Sequence, residues 1–249
     1  MADSDTTTNL IMLLRKFGHD MRVPLNTLIS TSDMLVRGAY DALTPKQEKA
    51  ATRLQRNSYR LLAILDDFIT LIKADAGDLT VSPKSFNIKE KLDEWAKPTL
   101  PILDPKGVQL SIIVSESTPM MMNDEALLKR IVQALLWNAV SFTERGTIKI
   151  VAEYQADSKW HICVEDTGSG IPNQDLPHIF EPFWRGEARP QVPTAGAGLG
   201  LPLSRALARL LNGDVSLQST SGQGTCFCVE LPVQSTDSFT TNIPSIDIS

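Results

Sequence analysis

His19 is followed directly by Asp20, and far downstream come three glycine-bearing strings: DTGSGIP at 166–172, FEPFWRG at 180–186 and GAGLGL at 196–201. An imidazole beside a carboxylate can serve as a nucleophile, one ring nitrogen oriented by the acid and the other left toward solvent. Arg22 adds a cation that could meet a phosphate. Asp166 ends an apparent strand, where its carboxylate can accept from an exocyclic amine while Gly168 and Gly170 let the backbone pass close to a flat ring. Gly196, Gly198 and Gly200 open a helical pattern, so backbone N–H groups and the positive helix end would face phosphates. Each signal alone has a plainer reading. A helical histidine is usually a surface or core residue, DTGSGIP reads equally well as a tight turn, and such glycine runs are as common in flexible loops. Their combination points to a phosphate-bearing ligand in one half of the chain and an imidazole on offer in the other.

The elements that must position these residues come in two textures. Residues 10–80 read as two long helices. Phe17, Met21, Pro24, Leu28, Thr31 and Leu35 follow a three-four spacing, which Leu54, Ser58, Leu61, Leu65, Phe68 and Ile72 repeat. Counting that repeat from Leu14 puts His19 on the outward face. Pro24 sits inside the first helix, where it costs about 3 kcal/mol and releases the carbonyl of Asp20. Gly38 falls in the connection 37–43. Thr44, Pro45 and Gln47 then form a capping-box signature, and Gly77 suits the end of the second helix. A lone helical pair would leave much of each stripe wet, so a homodimer forming a four-helix bundle is expected.

Beyond Ser82 short alternating strands mix with helices. Strands are predicted at Val108–Ser115, Thr147–Tyr154, Trp160–Glu165, Val215–Ser219 and Thr225–Leu231. A helix capped by Asp124 runs through Leu136, and another spans Leu199–Leu211, closed by Gly213. The whole is α+β and multi-domain: a helical hairpin followed by an α/β sandwich with helices on one face of a sheet. A polar leader (1–9), the hairpin (10–80), the sandwich (81–234) and a Ser/Thr-rich tail expected to be disordered (235–249) complete the division.

Composition narrows the classes. With 249 residues, 42% hydrophobic, the chain can bury a core, and a net charge of −5 without a basic stripe argues against nucleic acid as a partner. No apolar run nears the roughly 20 residues that cross a bilayer, so a cytoplasmic chain is expected. The polar start leaves no room for a sensor, so signals are expected to arrive from a missing upstream domain or a partner protein. Cys163, Cys226 and Cys228 are too few and too oddly spaced for a disulfide framework or zinc cage, and Cys226 and Cys228, alternating along an apparent strand, are read as buried thiols acting as small hydrophobes.

HDMRVPL (19–25) resembles the phospho-acceptor box of sensor histidine kinases. The order LLWNAVSFT, DTGSGIP, FEPFWRG, GAGLGL and GQGT resembles the ATP-binding domain that these kinases share with gyrase-type topoisomerases, mismatch-repair ATPases and the heat-shock chaperone ATPase. The resemblance implies that His19 accepts a γ-phosphoryl group with Asp20 as general base. It implies that Asn138 coordinates magnesium at the phosphates of ATP and that Asp166 reads adenine with support from the Thr225 hydroxyl. Phe180 and Phe183 would anchor a lid from about Trp184 to Ala195, with Arg185 reaching phosphate on closure. The flexible junction after Gly77 would let the ATP-binding domain swing toward His19. The receiver domain of a response regulator would take the phosphoryl group on an aspartate.

Three positions depart from the family. Ala134 stands where a second polar residue precedes the magnesium asparagine by one turn, and Ser141 stands where a lysine is common. Losing one charge-assisted contact costs about 1.5 to 3 kcal/mol, enough to slow turnover tens to hundreds of times. Val23 replaces a residue that positions water, which implies weak or absent phosphatase activity toward the regulator. The leading expectation is an autophosphorylating protein histidine kinase. Its rival is a degenerate kinase serving as a dimeric scaffold.

Overall fold

The computed structural model describes residues 2–116, 118–155, 159–186, 197–220 and 222–233. The expected tail, Gly196 and nearly all of the expected lid lie outside them. The chain divides into two compact units, one of Met1–Leu79 with Gly196–Leu199 and the other of Thr80–Ala195 with Gly200–Ser249.

The first unit is a helical hairpin of α1 (Ala2–Val36) and α2 (Pro45–Asp75). Helix α1 begins at Ala2, so the polar leader 1–9 is largely helical and not a separate segment. The capping box forms as read, with Gln47 N–H donating to Thr44 Oγ1 and Thr44 N–H to Gln47 Oε1. At the far end Asp78 N–H reaches back to Lys73 O and Gly77 N–H to Ala74 O, with Gly77 left-handed at φ +67°. That pattern satisfies the orphan carbonyls of the last turn.

The hairpin seam departs from the expected stripe. Small and apolar residues one heptad apart, Gly18, Leu25 and Ser32, are buried on α1, as are Ala51, Ser58 and Ile69 on α2. A Cβ at Gly18 would stand 2.6 Å from Ile69 Cδ1, so the helices close to glycine distance there. Phe17, Met21, Leu28, Leu54 and Leu61 remain exposed. The reason is rotational: small residues permit the intrachain approach, which turns the larger apolar residues outward.

The second unit is an α/β sandwich. Its main sheet contains β2 (Gln109–Val114), β4 (Thr147–Tyr154), β5 (Lys159–Asp166), β6 (Asp214–Thr220) and β7 (Gly224–Pro232). They lie in the order β2-β4-β5-β7-β6, with β2 and β4 parallel and the other pairs antiparallel. All five strands sit where alternation placed them. A two-stranded ribbon, β1 (Lys84–Phe86) with β3 (Met121–Asn123), was not foreseen, because three residues carry no readable period. Helices α3 (Ile88–Ala96) and α4 (Leu100–Leu103) were also missed, the second for its length.

One sheet face supplies Ile148, Ile150, Ile162, Val164, Phe227 and Val229 to the core. Against it lie α3, α5 (Glu125–Phe142) and α6 (Gly200–Leu210). On α5, Leu128, Ile131, Leu135 and Leu136 are wholly buried. Each contributes on the order of 2 kcal/mol, so burial rather than helix propensity sets the rotation of α5. The opposite face carries Lys159, His161, Cys163 and Glu165 half-buried.

Two expectations are corrected here. Cys163 and Cys228 are register partners on β5 and β7 and are joined as a disulfide, with Cys226 the free thiol. All three lie half-buried on the open face instead of in the core; strand pairing, invisible in spacing along one strand, brings them together. At the end of α6 the left-handed residue is Asn212 (φ +62°), not Gly213. Gly213 is required for another reason: a Cβ there would lie 1.9 Å from the carbonyl oxygen of Glu230.

Asp124 holds α5 in place. Its Oδ1 accepts from Ala126 and Leu127 N–H, each at 3.0 Å, and its Oδ2 accepts from Ser82 N–H at 2.7 Å. Replacing Asp124 by Ala removes the cap and leaves a backbone N–H without its acceptor, so a loss of about 2 kcal/mol is expected in urea unfolding. A change below about 0.5 kcal/mol, within the range of neutral surface substitutions, would contradict this role.

Candidate functional site

The strand end at Asp166 is where separate parts of the second unit converge. Asp166 is 8% exposed; its Oδ1 accepts from Gly168 N–H at 2.8 Å and its Oδ2 from the Thr225 hydroxyl. Thr225 is the register partner of Asp166 on β7, so antiparallel pairing alone places the hydroxyl there. Burial pushes the Asp166 carboxyl above its usual range, and the bonds from Thr225 and Gly168 offset only part of that.

The turn after Asp166 is held on two sides. Ser169 N–H donates to Phe142 O at the end of α5, and a Cβ on Gly168 would fall 2.4 Å from that same oxygen. On the other side Gly222 N–H donates to Ser169 O at 2.7 Å, and Ile171 N–H donates to Ser219 Oγ at 2.9 Å. Gly170 takes φ +64° between these ties. Ser219 was not foreseen as a site-building residue; a serine near a strand end gives no signal until the hairpin brings it under the turn.

Asn138 sits on α5, half-buried, one turn after Ala134. The start of α6 lies against this face, since a Cβ on Gly200 would be 3.7 Å from Ala134 Cβ. Gly198, left-handed at φ +79°, immediately precedes α6. The Ser141 hydroxyl donates to Trp137 O at 2.7 Å, turned back onto its own helix. Lys106 Nζ donates to Val140 O and Thr143 O and so caps the C-terminal end of α5, another role the sequence did not announce.

Phe180 lies under the Arg205 guanidinium, 4.7 Å from its ring centroid, and Arg205 is also paired in two bonds with Asp214. Arg205 is thus a positioning residue missed in the sequence, because its partners sit on a different loop and strand. Phe183 is exposed with φ +64°, a conformation uncommon for a non-glycine residue and one that collects at functional turns. Arg185 is exposed.

In the helical unit His19 is 79% exposed, and its Nδ1 lies 3.3 Å from Asp20 Oδ1. Arg22, read as a cation for phosphate, instead donates through Nε and Nη2 to Asp66 Oδ1 on α2, at 3.0 and 2.7 Å.

Residues 10–77 match the His Kinase A (phospho-acceptor) domain, and residues 123–235 match the histidine kinase-, DNA gyrase B- and HSP90-like ATPase. The chain is 28% identical over 236 residues to sensor histidine kinase GacS of Pseudomonas protegens, covering 93% of this chain and 25% of that protein. It is 32% identical over 228 residues to autoinducer 2 sensor kinase/phosphatase LuxQ of Vibrio parahaemolyticus, covering 89% of this chain and 26% of that protein. The crystal structure of full-length ShkA in complex with AMPPNP superposes with a TM-score of 0.78 at 28% identity, covering 90% of this chain and 46% of that one. The chain therefore spans about a quarter of the length of these curated relatives.

The raised Asp166 pKa has a sign. Between its ordinary value of 3.8 and its raised folded value, the folded chain binds more protons than the unfolded one, so stability falls as pH rises through that window. Asp166→Asn keeps the acceptor oxygen and removes the titration, and it is expected to flatten that part of the stability–pH curve in urea unfolding. Equal slopes for the two proteins would refute the assignment.

Proposed function

This chain belongs to the histidine kinase family, as a catalytic core with phospho-acceptor and ATPase domains, and on that premise we propose that it phosphorylates its own His19 from ATP. The phosphoryl group then passes to an aspartate on the receiver domain of a response regulator. The observation that carries this reading is the His19–Asp20 pair, an exposed ring with Nδ1 against a carboxylate. Asp20 accepts from Nδ1–H, which puts the lone pair on Nε2 and offsets positive charge as the ring attacks in line. The N–P bond forms as the bond from the γ-phosphorus to the leaving ADP oxygen breaks.

In this reading Asp166 accepts from the exocyclic amine of adenine, with Thr225 holding the carboxylate. Gly168 and Gly170 give the ring its backbone floor. Gly198 and Gly200 bring N–H groups to the phosphates at the start of α6, and Gly196, outside the described residues, is assigned to the same phosphates. Phe180 and Phe183 anchor the lid, and Arg185 reaches phosphate when it closes. Asn138 offers one amide oxygen, the hard donor that a magnesium ion takes alongside substrate phosphates and water. That ion, when bound, would neutralise charge on the phosphates. The exposed Val23 cannot orient a water, consistent with weak phosphatase activity.

A scaffold without turnover is the second reading, favoured by two observations. Ala134 offers only a methyl beside Gly200, and the Ser141 hydroxyl is spent on Trp137 O. Labelled ATP with magnesium separates the two. Base-stable, acid-labile label that vanishes in His19→Ala and falls by at least roughly 10² in Asp20→Asn supports the kinase. Nucleotide bound without label supports the scaffold.

The exposed apolar residues of the hairpin, among them Phe17, Leu28 and Leu61, support a homodimer whose two hairpins form a four-helix bundle. Sedimentation is expected to give a dimer at micromolar concentration, and Leu28→Asp combined with Leu61→Asp is expected to give a folded monomer. A wild-type monomer would overturn the bundle.

A further inference from the structure

The open face of the sheet carries a cluster that phosphoryl transfer does not use. Cys163 on β5 and Cys228 on β7 are cross-strand partners, and Cys226 lies two residues before Cys228 on the same face. The three sulfur atoms all lie within 4.8 Å of one another, and Cys226 Sγ is 3.6 Å from Cys228 Sγ. Three thiolates at about 2.3 Å from one cation in a trigonal plane stand about 4 Å apart; Cys226 and Cys228 are already close to that separation, and opening the Cys163–Cys228 disulfide frees the third sulfur to take it. The strands impose it: one cross-strand pair and one i, i+2 neighbour on a five-stranded sheet are held without loop ordering.

We propose that, once the Cys163–Cys228 disulfide is reduced, Cys163, Cys226 and Cys228 together bind one soft monovalent d¹⁰ cation of the Cu(I) type. Thiolate sulfur selects such ions. Structural zinc takes four ligands, and among the described residues the cluster holds three sulfurs and no histidine or carboxylate atom. Glu165, the register partner of Cys226, adds negative charge beside the cluster. Reduction consumes one dithiol, whose two S–H groups supply the electrons and protons that convert the S–S bond to two thiols while the dithiol becomes its own disulfide. Binding then breaks three S–H bonds, forms three metal–sulfur bonds and releases three protons to solvent. The copper keeps its oxidation state.

The test uses the full chain, reduced with a dithiol, desalted without oxygen and titrated with Cu(I) held by a coloured chelator. The reduced chain is expected to withdraw one equivalent from the chelator and the oxidised chain none. Cys226→Ser, which leaves the disulfide pair intact, is expected to lose at least about tenfold in affinity with an unchanged circular dichroism spectrum; altering even an outer-shell group commonly costs that much. The proposal fails if the reduced chain leaves the chelator loaded, if Cys226→Ser competes as well as wild type, or if equimolar Zn(II) displaces the copper.

Discussion

A carboxylate withdrawn from water at the end of a central strand has to be met by donors, and Asp166 organises the ATPase unit around that need. One donor comes from the glycine turn that follows it, the other from the strand paired beside it. The turn is in turn held by the end of α5 and by the β6–β7 hairpin. The result is a preorganised acceptor whose charge is already partly compensated. Burial still wins over those bonds, so the carboxyl sits above its ordinary range. A group in that balance is sensitive to whether a further donor arrives, as the amine of the proposed adenine ligand would.

The helical unit solves a different problem with small residues. Gly18 lets α1 approach α2 to a distance no larger side chain permits, and Ser32 and Ser58 are buried with their hydroxyls donating to carbonyls of their own helices. The larger apolar residues are displaced outward as a consequence. His19 is not part of either surface. The bond from Arg22 to Asp66 ties the His19 segment across the hairpin, two residues before the proline that interrupts the helix ladder. The His19 ring therefore projects from a braced segment.

The proposed phosphate end is more sparsely equipped than the proposed adenine end. Around Asp166 three elements contribute hydrogen bonds, whereas α5 presents Asn138 with an alanine one turn before it and a serine bonded to its own helix one turn after it. A missing charge-assisted contact weakens the transition state by about 1.5 to 3 kcal/mol, which slows a phosphoryl transfer without abolishing it. The same asymmetry distinguishes a slow kinase from a scaffold only in degree, since both keep the adenine end.

Much of this was legible in the residues. The alternation at 147–154 and 225–231, the capping box at Thr44, the Asp124 cap and the His19–Asp20 pair are local, and local chemistry is written in sequence. The seam of the hairpin was not, because a three-four repeat says that a helix has an apolar face and not which partner covers it. Nor was the disulfide between Cys163 and Cys228, the support of Phe180 by Arg205, or the Ser219 tie beneath the turn. Each joins residues from elements whose pairing is settled by burial and strand register across the whole unit. What the sequence determined by itself was the set of reactive groups and the elements that carry them. Which of those groups meet was decided by the tertiary structure, because hydrogen bonds and sulfur contacts act over a few ångströms and only folding sets those distances.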